Sequence, residues 1–127
     1  MSLELVESVP PVQLTIRLLV PEGSYLLQLP GFKEKLMAFD PRLLGYPWVH
    51  SDPRVDRLQR ELQMLVARLE NDSLPRHEVF AAVWRAAHQA AGRAAPELAE
   101  NPGAPIPRLS EPWYCCAEPT DQQLQSF

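Results

Sequence analysis

Two stretches of the chain carry apolar residues at spacings of three and four, the pattern of an amphipathic helix. The first predicted helix begins at Asp52, a favoured N-cap residue, has Pro53 at its first position and ends at Asn71–Asp72. The second starts near Ser73–Pro75 and stops at Gly92, a residue type that commonly follows a helix end. Because only about four to five residues separate the two helices, an antiparallel helical hairpin is expected.

The same spacing predicts which face of each helix is buried and which faces solvent. Asp56 and Arg60 are four positions apart and are expected to pair on the solvent side of the first helix. The predicted buried residues are Val55, Leu58, Leu62, Leu65, Val66 and Leu69 in the first helix and Val79, Phe80, Val83, Trp84, Ala87 and Ala91 in the second.

The N-terminal part shows a different period. Between Val12 and Val20, apolar and polar residues alternate, which predicts a half-buried strand. Tyr25–Leu29 fits a second short strand or a turn of helix, and Gly31–Phe39 fits one or two helical turns. An isolated strand or two-stranded ribbon is marginal in water, so the strand needs a sheet. That sheet would come either from another part of a longer protein or from a second copy.

After Gly92 the periodicity fades and prolines punctuate the chain, which predicts an extended tail. We therefore expect a mainly α fold: an antiparallel helical hairpin over residues 45–92, preceded in residues 1–44 by one or two short β-strands and a loop. An extended Pro-rich tail over residues 93–127 follows. The turn from Trp48 to His50, between two prolines, is typical of a docking segment.

Composition narrows the class of protein. The chain has 127 residues, enough for one domain, and its 14 prolines are about twice the usual share. A net charge of -4 without any basic stripe argues against nucleic-acid binding. No apolar run approaches the roughly 20 residues that span a bilayer, and the N-terminus lacks the features of a signal peptide. The expectation is a cytoplasmic protein that binds neither nucleic acid nor membrane.

Three segments resemble one family of enzymes. The tail EPWYCCAEP, Glu111–Pro119, resembles the ending of radical SAM proteins that finish in a CUAEP or CCAEP motif, where U is selenocysteine. The segment SVPPVQLTIRLLVPEGSYLL, Ser8–Leu27, is similar to the last barrel strand and following loop of such proteins. The segment GYPWVHSDPRVDRLQREL, Gly45–Leu62, looks like the linker and first helix after the barrel.

The resemblance implies a parent enzyme with a partial (β/α) barrel. In that family a [4Fe–4S] cluster cleaves S-adenosylmethionine, and members often carry a cobalamin-binding domain upstream. The family's Cys-x-x-x-Cys-x-x-Cys motif is absent from this sequence, which has only 2 cysteines. We therefore expect no cofactor to be bound by this chain alone. The expected partner is the radical SAM barrel of the same parent chain, or a second copy through the helices.

Cys115 and Cys116 are the candidates for chemistry. A disulfide between neighbours joins Cα atoms about 3.8 Å apart, below the usual range of about 4.4–6.8 Å, and a strained disulfide is easily reduced. Such a pair suits a redox or nucleophilic role, although an inert reduced pair remains the alternative. The resemblance makes Cys116 the reactive thiol and Cys115 the resolving one. Glu118 is either a proton acceptor for Cys116 or a solvated carboxylate.

A metal site and an interaction protein are the remaining alternatives. His77 and His88 lie about 16 Å apart along one predicted helix and cannot share a metal. His50 could complete a site with the two cysteines. The alternative function is a stand-alone helical interaction or dimerisation protein whose tail cysteines are incidental or bind a soft metal such as Cu(I).

Overall fold

The computed structural model describes residues 6–98, 118–119 and 124–125. It is mainly helical, as the sequence predicts. Its α-helices are α1 (Pro30–Lys33), α2 (Pro53–Asn71) and α3 (Arg76–Ala90), and short 3-10 helices cover Val6–Ser8, Pro11–Leu14 and Tyr25–Gln28. In the described ranges the only β-structure consists of isolated bridges.

The chain divides into two compact units. The first, here called the helical unit, comprises Met1–Thr15 and Arg57–Ser110. The second, here called the loop unit, comprises Ile16–Asp56 and Glu111–Phe127. The division falls after the first turn of α2, so this helix contributes to both units.

The core of the helical unit combines side chains of α2 and α3. Its buried members are Leu62, Val66, Val79 and Val83. Partly buried apolar residues pack against them, namely Leu14, Leu58, Leu65, Leu69, Leu74 and Ala86. The predicted apolar faces are thus confirmed at their centres. In α3 only Val79 and Val83 of the predicted face belong to this core, since Phe80, Trp84 and Ala87 are only partly buried and lie outside it. Val55 and Ala91, at the ends of the predicted faces, are exposed.

Both long helices end in the same backbone motif. After α2 the Leu74 N–H donates to the Leu69 carbonyl at 3.0 Å, and after α3 the Arg93 N–H donates to the His88 carbonyl at 2.9 Å. These six-residue closures define a Schellman motif, which needs a left-handed residue just before its end. Gly92 fills that position in α3 with φ 66°, whereas Ser73 fills it in α2 with φ 58°. The predicted helix limits are therefore confirmed.

Glu7, near the N-terminus of the chain, caps the start of α3. Pro75 precedes the helix and has no side-chain group to cap it. Glu7 takes this role, since its Oε1 accepts the His77 backbone N–H at 3.3 Å and lies 3.0 Å from His77 Nδ1. Arg76 Nη1 donates to the Glu7 carbonyl at 2.8 Å, which fixes the N-terminal turn on the helix.

The loop unit is built around a short, irregular antiparallel ribbon. The Val49 N–H donates to the Lys35 carbonyl at 2.9 Å, and the Met37 N–H donates to the Pro47 carbonyl at 2.7 Å. The ribbon turns between Asp40 and Gly45, which bond each other's backbone. Its second arm then pairs with Val20, whose carbonyl accepts the Tyr46 N–H at 2.8 Å.

The predicted strand over Val12–Val20 is wrong. Pro11–Leu14 forms a 3-10 helix that starts with proline at its first position. Proline fixes φ near the helical value and lacks an N–H for a ladder, so this segment begins as a turn rather than a strand. Pro21 then makes a single bridge with Gly45. Of the two alternatives for Tyr25–Leu29, the helical turn is correct, and α1 supplies one turn where one or two were expected.

Candidate functional site

Arg17 lies at the centre of a polar cluster in the loop unit. Its guanidinium is 4.5 Å from the centroid of the Trp48 ring, and its Nη2 donates to the Trp48 backbone carbonyl. Stacking a guanidinium on an indole contributes about 0.5–2 kcal/mol, more as water is excluded. Trp48 is in turn held by its indole N–H, which donates to the Leu18 carbonyl at 2.9 Å. Arg17 is therefore fixed in position by the ribbon.

Two carboxylates share this single guanidinium. Asp56 Oδ1 is 3.3 Å from Arg17 Nη1, and Glu118 Oε2 is 3.4 Å from Arg17 Nε. The three side chains of Arg17, Asp56 and Glu118 are only 16%, 12% and 17% exposed. The Glu118 backbone N–H also donates to the Arg17 carbonyl at 3.0 Å, so both its backbone and its side chain meet the same residue. We call these three residues the Arg17 cluster.

The carboxylates of Asp56 and Glu118 differ in the hydrogen bonds that their oxygens accept. The other oxygen of Asp56, Oδ2, accepts the His50 backbone N–H at 2.9 Å. The Nε group of Arg17 is near Glu118 but misaligned with its oxygen, and among the described residues it is buried without a hydrogen-bond partner. The contact between Arg17 and Glu118 is thus one of charge rather than of a well-formed hydrogen bond.

Burial raises the pKa of the Glu118 carboxyl above its ordinary value. The Arg17 charge acts in the opposite direction, and the negative charge of Asp56 adds to the rise. Loss of water is the largest of the three causes, because a partly dry site favours the neutral acid. Glu118 is thus a stronger base when ionised than a carboxylate in water.

The start of α2 brings Asp56 to the cluster. Asp52 caps the helix, since its Oδ1 accepts the Arg54 N–H at 2.9 Å, and its own N–H donates to His50 Nδ1 at 3.0 Å. The cap fixes the first turn of α2, on which Asp56 follows one turn after Asp52. A forked pair with the Arg54 guanidinium holds the pKa of Asp52 at about 2.

The predicted site residues fall in different places. Cys115 and Cys116 lie outside the described residues, as does most of the tail predicted to be extended. Glu118 is described, and its side chain is 17% exposed. His50, considered above as a metal ligand, accepts the Asp52 N–H on its Nδ1.

Sequence reasoning missed Arg17 and Asp56. The expected surface pair of Asp56 with Arg60 is wrong, because Asp56 is buried and pairs with Arg17. Arg17 occupies a polar position in an alternating pattern, which predicts exposure. The available signal was that Arg17 is the one charged residue between Val12 and Val20. A charge in such surroundings is seldom left without a partner.

No group of three or more His, Cys, Asp and Glu side chains in residues 6–98, 118–119 and 124–125 could hold a metal ion. No helix in those ranges is long and apolar enough to cross a membrane.

Comparison with protein-family models, with curated proteins and with solved structures found no match to this chain.

Proposed function

We propose that this chain is the C-terminal portion of a radical SAM enzyme with a CCAEP tail, and that it supplies the Cys115–Cys116 pair as a redox or nucleophilic element. In this proposal α2 and α3 form an antiparallel hairpin that caps the barrel, and the tail is extended. The cluster and S-adenosylmethionine would belong to the barrel, together with cobalamin where the parent has that domain. The tail sequence EPWYCCAEP carries the resemblance.

The attachment of Glu118 is the structural observation that supports this role. Glu118 is part of the tail motif and is held by Arg17 through backbone and side chain. Because Cys116 lies only two residues earlier in the chain, the proposal assigns the chemistry of the pair to the neighbourhood of the Arg17 cluster. Glu118 would accept the proton of the Cys116 thiol only while its carboxylate is ionised.

The proposed redox step is a two-electron thiol–disulfide exchange. The thiolate of Cys116 attacks one sulfur of a partner disulfide, and the other sulfur leaves as a thiolate. The Cys115 thiolate then attacks Cys116 in the mixed disulfide, so that Cys115 and Cys116 become joined and the partner is released as a dithiol. The pair loses two electrons that the partner gains, and two protons pass from one dithiol to the other.

The test is a redox titration of the pair in the full chain. Thiols are alkylated and counted by mass spectrometry across a series of glutathione or dithiothreitol ratios. We expect one two-electron transition at a physiological potential, lost in Cys116→Ser. The matched control is Trp113→Phe, two residues before Cys115, which leaves both thiols in place. Two thiols that alkylate independently at every potential would contradict the proposal.

A second candidate function, a helical interaction or dimerisation protein, is favoured by the surface of the loop unit. Nine of the eleven exposed large hydrophobic side chains in the described residues belong to this unit, with Tyr25, Met37 and Leu44 among them. Such apolar surface commonly marks a contact with another protein. Sedimentation of the full chain distinguishes the two functions. A stable dimer favours the interaction protein, and a monomer favours the enzyme portion, whose partner would be the barrel.

A further inference from the structure

The Arg17 cluster has one more negative charge than positive charge when both of its carboxyl groups are ionised. With Asp56 and Glu118 both ionised, two negative charges face the one positive charge of Arg17. The three side chains are each less than one-fifth exposed, so water screens this imbalance poorly. When two carboxylates share one site, the first proton is bound more readily than at an isolated carboxylate.

The two carboxylates of the cluster differ in their hydrogen bonds. Asp56 accepts the His50 N–H at 2.9 Å on one oxygen and lies 3.3 Å from Arg17 on the other. Glu118 has a misaligned contact with Arg17 Nε as its charge partner among the described residues. Glu118 is therefore the carboxylate of the cluster whose oxygens are less fully hydrogen-bonded among the described residues.

We propose that Glu118 docks on Arg17 and Asp56 as a neutral carboxylic acid, so that attachment of this part of the tail to the loop unit takes up one proton. Arg17 and Asp56 are then positioning residues for the tail. The backbone hydrogen bond from Glu118 to the Arg17 carbonyl does not depend on the charge and holds the docked register. The stacking of Arg17 on Trp48 likewise persists in both protonation states.

The groups around Glu118 set the direction of the pH dependence. Arg17 faces it from the segment after Thr15, Asp56 from the first turn of α2, and His50 contacts Asp56 from the ribbon. The pKa of docked Glu118 is raised chiefly by burial. A group whose pKa rises on docking favours the docked state below its ordinary pKa, about 4.3 for Glu, and this advantage is lost as the pH rises through the raised value.

Docking itself is independent of the thiol chemistry, but its consequence for catalysis rests on the proposed function. If Cys115 and Cys116 act beside the cluster, the pH sets the fraction of molecules in which the docked tail holds them there. Each unit by which docking raises the pKa corresponds to a tenfold tighter attachment at low pH.

The experiment follows Glu118 in the full chain by NMR, with both cysteines replaced by serine so that thiol chemistry cannot contribute. The side-chain carboxyl shift of Glu118 gives its pKa, and the exchange protection of its backbone amide gives its attachment. We expect a Glu118 pKa above the ordinary value and a protection factor that falls as the pH rises. The variant Glu118→Gln mimics the neutral acid, and it should keep its protection at all pH values.

Asp56→Asn provides the matched variant, since it keeps an oxygen for the His50 N–H but removes the second negative charge. The pKa of Glu118 should be lower in Asp56→Asn than in the wild-type chain. A Glu118 pKa at or below the ordinary value would overturn the proposal. So would loss of amide protection in Glu118→Gln at every pH, because the ion pair would then be required. Neither outcome bears on the redox titration, so the two proposals fail separately.

Discussion

The helical unit and the loop unit hold their residues in place by different means. In the helical unit two regular helices bury a cluster of apolar side chains, with Val79 completely covered. In the described part of the loop unit, Val20 is the one buried large hydrophobic residue, and single bridges, turns and the Arg17 cluster hold the segments together. The first unit is stabilised mainly by area removed from water, whereas the second combines polar contacts with the aromatic pairs Phe32–Trp48 and Phe39–Tyr46.

This difference predicts how the two units respond to substitution. A core of interchangeable aliphatic side chains tolerates substitutions that conserve volume. A polar cluster depends on each partner, because removing one leaves a buried charge or donor unpaired. Conserving volume should therefore suffice in the helical unit, whereas in the Arg17 cluster a substitution must also keep the hydrogen bonds and the balance of charge.

The largest effect is expected in the core of the helical unit. Leu62→Ala removes a side chain that is 9% exposed and should lower the free energy of unfolding by about 2–5 kcal/mol. Met64→Ala, on the same helix at a residue that is 66% exposed, is the control and should be nearly neutral. Denaturant unfolding measures both. Equal losses in the two variants would mean that the core is not where the stability lies.

The loop unit should be most sensitive where its backbones approach closely. A Cβ at Gly45 would lie 2.8 Å from the Val20 carbonyl oxygen, which also accepts the Tyr46 N–H. Gly45→Ala should therefore cost about 1–3 kcal/mol through displaced backbone. Gly31→Ala, which meets no atom within 4 Å, is the matched control. Chemical shifts around Val20 should change in the first variant alone, and an unperturbed Val20 would contradict the described pairing.

A smaller effect, of the opposite sign, is expected at the end of α2. Ser73 adopts φ 58°, a conformation that costs a residue with a side chain roughly 1–2 kcal/mol. Ser73→Gly relieves this cost but loosens the unfolded chain, so we expect a net gain of up to about 1 kcal/mol. Thermal unfolding measures the gain. A loss in Tm would show that the Ser73 side chain contributes more than its backbone conformation costs.

The smallest effect is electrostatic and lies at the start of α2. The pKa of Asp52 is about 2 because Arg54 binds its carboxylate, so the folded chain favours the ionised form. The ionised carboxylate of Asp52 therefore adds to the free energy of unfolding above the ordinary carboxyl pKa, about 3.9, and this contribution is lost as the pH falls towards 2. Asp52→Asn keeps the cap and should flatten the acid side of the stability profile. An unchanged profile would contradict the pairing with Arg54.

The same contrast explains what the sequence could predict. The limits of α2 and α3 follow from local signals, Pro53 at one start and Gly92 at one end, and spacing predicts the centre of the core. The Arg17 cluster joins residues far apart in the chain, and no local pattern pairs Arg17 with Asp56 or Glu118. The strand prediction failed because alternation over Val12–Val20 ignored Pro11, which starts a helical turn.

The most direct test of the account is whether the Arg17 cluster acts on the thiol pair. The midpoint potential of Cys115 and Cys116 should be measured in the wild-type chain, in Arg17→Met and in the control Arg60→Met, an exposed arginine on α2. Loss of a nearby positive charge disfavours thiolates and hence the reduced pair, so we predict a more negative potential in Arg17→Met alone. The same potential in all three chains would contradict the claim that the cluster positions the pair.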